Sequence, residues 1–309
     1  MLRPTLIWLS KQDWAERGVR ACGIERLLVR RFVAGDERAD AVDLALGLSQ
    51  SKDGVLGANA KFSFLGEAVT DPVEAEQAVV EYCALAAAIG AASPLDARMG
   101  VKPTLLGLGI SYPTAERGLL TIVETASQHG VRVELDMETS DTVDATLNLY
   151  RAASAISDRT GVALQTYLRR TPEDAQSLID EGIARVRLVK GAYNEPSRVA
   201  HIGAGPIRRA YTEILEQLWQ SGADVGVATH DPILHRAARR LATEPSTIGY
   251  WEFQMLFGVR PELAQAMRER GERLRMSIPY GERWYPYLMR RIAERPSNAL
   301  VALRAMASR

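Results

Sequence analysis

Arg185-Val186-Arg187-Leu188-Val189-Lys190-Gly191-Ala192-Tyr193 is the stretch whose reading decides the fold. Val186 and Leu188 alternate with Arg187 and Val189, the period of a strand whose successive side chains point to opposite faces. Two cations interrupt an otherwise strand-like run, and Gly191-Ala192 ends it. A cation on a buried strand needs a partner or a ligand, because desolvating it alone is costly. Gly191 and Ala192 leave room for something flat or anionic to approach the backbone. A strand end with solvated charges would also produce this pattern, so the surrounding chain decides.

Outward from that stretch, strand and helix alternate. Strand-like runs occur at 62–65, 104–108, 131–136, 162–168, 224–229, 248–253 and 274–278. With the opening stretch as the fifth, helical runs follow at 72–89, 114–129, 142–157, 172–181, 206–219, 233–242, 261–269 and 284–294. Eight such units over roughly 250 residues predict an α/β chain closed into a (β/α)8 TIM barrel. A doubly wound sheet is the alternative, but no Gly-x-Gly-x-x-Gly turn follows any strand. Residues 5–47 read as helices, with Trp14, Val19, Cys22, Ile24, Leu27, Leu28 and Phe32 at mixed three- and four-residue spacing. The turn-rich run at 50–54 then divides an N-terminal helical segment, 1–55, from a barrel domain, 56–309.

The 309 residues are 47% hydrophobic with zero formal net charge, which argues for a globular chain and against an electrostatic nucleic-acid binder. Cys22 and Cys83 form no disulfide or metal framework, which predicts a reducing cytoplasm. No run approaches about 18 apolar residues, so no membrane span is expected. Met1-Leu2-Arg3-Pro4 does not open a signal peptide. His129, His201, His230 and His235 and the acids near them show no compact zinc spacing, so no metal site is expected.

Active sites of such barrels gather at strand C-terminal ends. The polar residues there are Glu67, Asp136, Glu138, Gln165, Arg187, Lys190, Thr229, His230, Asp231, Gln254 and Tyr280, with Lys102 early in the second strand run. A purely structural barrel has no need of so dense a set. Asp136 reads equally as a catalytic acid or as the ion-pair partner of Lys102 or Arg187. Arg290 and Arg291 point about 100° apart on the last helix, two sides of one clamp that suits a carboxylate, or else a solvated basic helix end.

Four stretches, in order, resemble the proline dehydrogenase family: Arg187-Leu188-Val189-Lys190-Gly191-Ala192-Tyr193, Ala228-Thr229-His230, Glu252-Phe253-Gln254-Met255-Leu256-Phe257-Gly258, and the ending Tyr287-x-x-Arg290-Arg291-x-x-Glu294-Arg295-Pro296-x-Asn298. The resemblance covers about residues 60–300 and the length suits the monofunctional bacterial form. It implies a distorted barrel whose last helix lies over the mouth, with FAD bound there. The activity implied is oxidation of L-proline to Δ1-pyrroline-5-carboxylate, with electrons passed to a membrane quinone. By resemblance, Asp136 and Arg187 are catalytic, and Lys102, Arg290 and Arg291 hold the proline carboxylate. Leu256 and Tyr287 wall the ring, and Glu67 pairs with Arg290 as a gate. Met137, Gln165, Arg187, Lys190, Gly191, Ala192, Thr229 and His230 contact the cofactor, and Glu294 is an adenosine-side or helix-anchoring acid. A cytoplasmic protein touching the inner membrane face peripherally, and a homo-oligomer, are compatible with it. Two positions depart from the family pattern. Asn194 stands where many members have Trp. Ser277 stands where Tyr is common, which predicts a larger pocket relaxed toward hydroxyproline.

A Schiff-base lyase or aldolase on the same barrel, with Lys102 or Lys190 as nucleophile, is the competing enzyme. It leaves the arginine pair, Gln165 and His230 unexplained. A protein-docking scaffold leaves the strand-end polar residues without purpose.

Overall fold

A computed structural model of the chain describes Trp14, Arg17 and residues 25–50, 52, 57–92, 95–243 and 249–294. Most of the helices read over 5–24, the break near 50–54, the Glu294 side chain and the Pro296-x-Asn298 end of the last motif lie outside the described residues.

The helices α1 (Glu25–Phe32) and α2 (Arg38–Ser49) come before the barrel. Eight strands follow: β1 (Asn59–Phe64), β2 (Ala97–Val101), β3 (Arg132–Leu135), β4 (Thr160–Gln165), β5 (Arg185–Val189), β6 (Asp224–Ala228), β7 (Trp251–Leu256) and β8 (Leu274–Tyr280). All pair in parallel with their sequence neighbours, and β8 returns to β1, closing the barrel. The intervening helices are α3 (Pro72–Ala91), α4 (Tyr112–Gln128), α5 (Val143–Ile156), α6 (Thr171–Asp180), α7 (Ala204–Gln220), α8 (Pro232–Leu241) and α9 (Pro261–Glu269), and α10 (Trp284–Glu294) follows β8.

Local chemistry starts these helices. Asp71, Ser111 and Asp231 each accept a backbone N–H in the first turn of α3, α4 and α8, from Val73, Thr114 and Ile233, and each cap is followed within two residues by a proline. Such caps satisfy donors that a helix start leaves orphaned. The strands show the expected alternation. In β5, Val186 and Leu188 are buried outward under the helices, and the Tyr211 hydroxyl of α7 donates to the Leu188 carbonyl at 2.8 Å. In β8 every residue is buried, because both faces of a parallel barrel strand are covered.

The helices before the barrel join its packing. Ala41 and Ala45 of α2 belong to the main core. Ala34 N–H donates to the Pro279 carbonyl and Gly281 N–H to the Gly35 carbonyl, tying the α1–α2 turn to the end of β8. The last helix leaves the outer ring. Tyr287, Leu288 and Met289 of α10 form a second apolar cluster with Val29 and Phe32 of α1 and with Leu65 and Val259, just past β1 and β7. This placement puts α10 beside the C-terminal ends of the strands.

The structure corrects three sequence readings. The second strand is Ala97–Val101, and the apolar run at 104–108 is the turn after it. Pro103 and Gly107, at φ +84°, break that run, whereas Arg98 and Gly100 disguise the true strand. The seventh strand begins at Trp251, three residues later than its sequence pattern suggests. Tyr280 turns outward from the mouth, and its hydroxyl meets Glu81 Oε1 of α3 at 2.9 Å. Among the described residues, no helix is long and apolar enough to cross a membrane.

Candidate active site

Barrel interiors of this kind are usually filled by bulky branched side chains. Here the inward positions carry a continuous ladder of charge. At its lower end Arg275 grips Glu252 with two bonds, Nε to Oε1 at 2.6 Å and Nη2 to Oε2 at 3.0 Å. Arg98 bridges Glu252 at 3.2 Å and Glu134 at 3.3 Å. Lys61 Nζ lies 2.8 Å from Glu134 and 2.7 Å from Asp136. Asp136, just past β3, also meets Arg187 Nη1 at 3.6 Å and Lys102 Nζ at 3.9 Å. Arg187 Nε donates to Gln254 Oε1 at 3.0 Å.

Two inward glycines make this possible. A Cβ on Gly100 would lie 2.5 Å from Lys61 Cε, and one on Gly226 would lie 2.3 Å from Gln254 Nε2. Burial alone would push the acids toward their neutral forms. For Asp136 burial is the largest influence, yet Lys61, Lys102 and Arg187 together outweigh it and hold the carboxyl well below the usual range. Glu134 follows the same logic, with Lys61 the foremost cation, and is held down at about 2. Glu138 goes the other way, because burial raises it more than Thr104 and Lys102 lower it.

Above the ladder lies the mouth. Glu138 accepts both the backbone N–H of Thr104 at 2.9 Å and its hydroxyl at 2.6 Å. The Gln165 amide donates to the Glu138 carbonyl at 2.6 Å. Lys102 Nζ approaches the Phe64 carbonyl at 3.4 Å. Over this rim, Arg290 Nη1 of α10 donates to Glu67 Oε1 at 2.6 Å, and the Arg291 guanidinium lies 5.2 Å from the Tyr287 ring centre. Leu256 packs against the Tyr287 cluster. Tyr193 is half-buried and feels Glu138, Glu67, Arg290 and Asp136 together; burial first, then these acids, raise its phenol.

On the β5–β6 side, Asp231 Oδ2 accepts from Lys190 at 2.5 Å and from Arg208 at 2.8 Å while its Oδ1 caps α8. The two cations and the cap keep Asp231 at about 2 although burial opposes them. His230 Nε2 accepts the Leu256 N–H at 3.0 Å, and Thr229 Oγ1 accepts the Asp231 N–H at 3.1 Å. Met137 is buried beside Asp136 and Glu138 in the chain.

The structure thus brings Asp136, Arg187 and Lys102 into one cluster and Glu67 onto Arg290. It places Leu256 and Tyr287 in one apolar wall, and Ser277 inside the barrel at the register of Lys61. Gly191 also has a packing reason. Its φ is +110°, and a Cβ there would sit 2.1 Å from the Tyr167 ring, so the tyrosine takes up the space. Gly191→Ala is therefore expected to cost about 1–3 kcal/mol in denaturant unfolding; a loss under about 0.5 kcal/mol would refute that packing role. Sequence reasoning missed Lys61, Arg98, Glu134, Glu252, Arg275 and Arg208. For the five on strands the one available signal was a charge at every second position of strands buried on both faces; Arg208, on α7, carried none.

Three comparisons bear on this site. The family profile described as proline dehydrogenase matches residues 49–301. Proline dehydrogenase 1 of Bacillus subtilis subsp. natto is 36% identical over 307 residues, covering 99% of both chains. Proline dehydrogenase of Deinococcus radiodurans is 32% identical over 285 residues, 90% of each. A solved proline utilization A from Bdellovibrio bacteriovorus, inactivated by N-propargylglycine, superposes with a TM-score of 0.75 at 22% identity. The match covers 86% of this chain but spans about a third (32%) of that one, and it shows the shared fold.

Proposed function

Because the chain belongs to the proline dehydrogenase family, we propose that its barrel mouth holds FAD beside L-proline and oxidises the proline to Δ1-pyrroline-5-carboxylate. The observation that carries this reading is Asp136, whose carboxylate couples Lys102 at 3.9 Å to Arg187 at 3.6 Å. One acid thereby links a cation suited to a substrate carboxylate with a cation suited to an electron-accepting ring.

The donor set supports a flavin dinucleotide. Arg187 and Gln165 offer N–H groups near the ladder's top, while Lys190, Thr229 and His230 lie toward β6 with Arg208, where a pyrophosphate needs cations. Met137, Gly191 and Ala192 would complete that side. An FAD held by these residues would supply the acceptor for a hydride from proline C5, with a quinone as the onward electron acceptor. The protein's part is binding and orientation. Lys102, Arg290 and Arg291 hold the carboxylate, and Leu256 and Tyr287 wall the ring. Glu67 releases Arg290 to the entering substrate and recaptures it afterwards. Asp136 fixes Lys102 and Arg187, and water takes the amine proton. The acceptor is a membrane quinone met by peripheral contact at the inner face, from a cytoplasmic homo-oligomer with an N-terminal segment, 1–55, set before the barrel domain.

The test is the purified protein supplied with FAD. A yellow sample that oxidises proline with a soluble quinone analogue supports the reading. A colourless sample that borohydride and substrate trap at Lys102 or Lys190 would support the lyase instead.

Ser277 carries a prediction of its own. It is buried, paired in register with Lys61 on one side and Leu256 on the other. Ser277→Tyr is expected to raise the kcat/KM ratio of proline over 4-hydroxyproline by about tenfold, the worth of one steric or polar clash in a pocket. An unchanged ratio would remove Ser277 from the specificity site.

A further inference from the structure

Lys61 is only 1% exposed, and neither the family resemblance nor the mouth geometry calls for it. Burying an ammonium so completely is costly unless its charge and N–H groups are met. Lys61 is met twice, by Glu134 Oε1 at 2.8 Å and Asp136 Oδ1 at 2.7 Å. Reaching them from β1 means crossing the inner face of β2. The chain makes way at Gly100, where a Cβ would stand 2.5 Å from Lys61 Cε and 3.0 Å from its Nζ. The crossing is built into two strands.

The distances around Asp136 rank its partners. Lys61 makes the short contact, while Arg187 at 3.6 Å and Lys102 at 3.9 Å stand off. A carboxylate without Lys61 would close on one of these two cations. We propose that Lys61 is a positioning residue: by fixing Asp136 from below, it keeps Lys102 and Arg187 turned to the mouth and available to substrate and cofactor. The proposal rests on the functional reading above and adds the residue that sets its geometry.

The charged and titratable groups facing Asp136 are Lys61 of β1, Lys102 beyond β2, Glu134 of β3, Glu138 beyond it, Arg187 of β5, Tyr82 of α3 and Tyr193 beyond β5. Against burial, Lys61 is the foremost of the cations that depress the acid. The sign follows. Removing Lys61 raises the Asp136 pKa, so the acid protonates, and activity falls, at a higher pH than in the wild type.

Lys61→Met alone leaves Glu134 and Asp136 facing each other and will fold poorly if that repulsion dominates. The decisive variant is the charge-balanced Lys61→Met/Glu134→Gln. The proposal expects it to melt near the wild type, with proline KM up about tenfold or more and the acidic limb of kcat/KM moved up by about 1–3 pH units. If Lys61 serves only to neutralise Glu134, the double variant restores KM and pH profile along with stability, and the proposal is overturned. Titrating selectively 13C-labelled aspartate carboxyls, with Asp136→Asn as the assignment control, reads the same shift without turnover. An unmoved Asp136 signal also overturns it. A wild type that fails to oxidise proline would refute the functional reading separately, and the carboxyl titration would still report whether Lys61 governs Asp136.

Discussion

Arg290→Ala/Arg291→Ala is expected to lose proline kcat/KM by a factor on the order of 10²–10⁴ while keeping its fold and bound flavin. Each arginine is assigned a charge-assisted bond to the substrate carboxylate, worth about 1.5–3 kcal/mol, and each 1.4 kcal/mol is about tenfold. Arg290 already bonds Glu67 at 2.6 Å, so it exchanges one carboxylate for another on binding, and its net contribution is smaller. The loss should fall mainly on KM, the sign of an interaction made in both ground and transition states, with kcat falling to the extent that orientation is lost. Glu67→Gln should tighten proline slightly, since it frees Arg290. Steady-state kinetics on these proteins check this. Unchanged kcat/KM in the double variant would remove α10 from the substrate site.

The second large effect is on stability. Arg275 is fully buried and holds Glu252 with two short bonds, while its Nη1 donates to the Ala60 carbonyl at 2.8 Å. Arg275→Met leaves Glu252, among the described residues, with Arg98, Gln254 and Tyr250. Breaking one partner from a buried pair costs about 3–5 kcal/mol, which for a domain of this size lowers Tm by on the order of 10 °C. Arg275→Met/Glu252→Gln should recover much of that loss, because no bare carboxylate remains.

The same ladder gives a pH dependence with a definite sign. Glu134 at about 2, and Glu252 and Asp136 below their ordinary range, have folded values beneath their unfolded ones. Their stabilisation is therefore complete above the ordinary carboxylate range, near about 4, and is lost as pH falls through the folded values. Arg275→Met raises the Glu252 value, so the variant should lose stability at a higher pH than the wild type. Thermal melts between neutral and strongly acidic pH test this; parallel curves would contradict it.

The barrel was readable because its outer faces repeat. Val186 and Leu188 alternate cleanly, and prolines beside capping Asp or Ser mark the starts of α3, α4 and α8. The strand hardest to see was β2, since Arg98 and Gly100 answer to Lys61, Glu134 and Glu252 on other strands, a demand no local pattern carries. Arg187 stood out because it interrupts a strand-like run, and Asp136 because it ends one at the mouth. Lys61 did not, because a lysine between Ala60 and Phe62 looks like any solvent-facing residue of an edge strand until the barrel closes. Gly191 was noticed as room for a flat or anionic group, but the Tyr167 ring that a Cβ there would meet lies twenty-four residues away on another loop, where no local pattern reveals it.

The central claim is that the mouth orients proline against an oxidising flavin, and anaerobic mixing tests it most directly. The FAD-loaded protein, offered L-proline without oxygen or quinone, should lose its yellow absorbance in one turnover and regain it when a quinone analogue is added. Colour that persists in the presence of saturating proline would contradict the account.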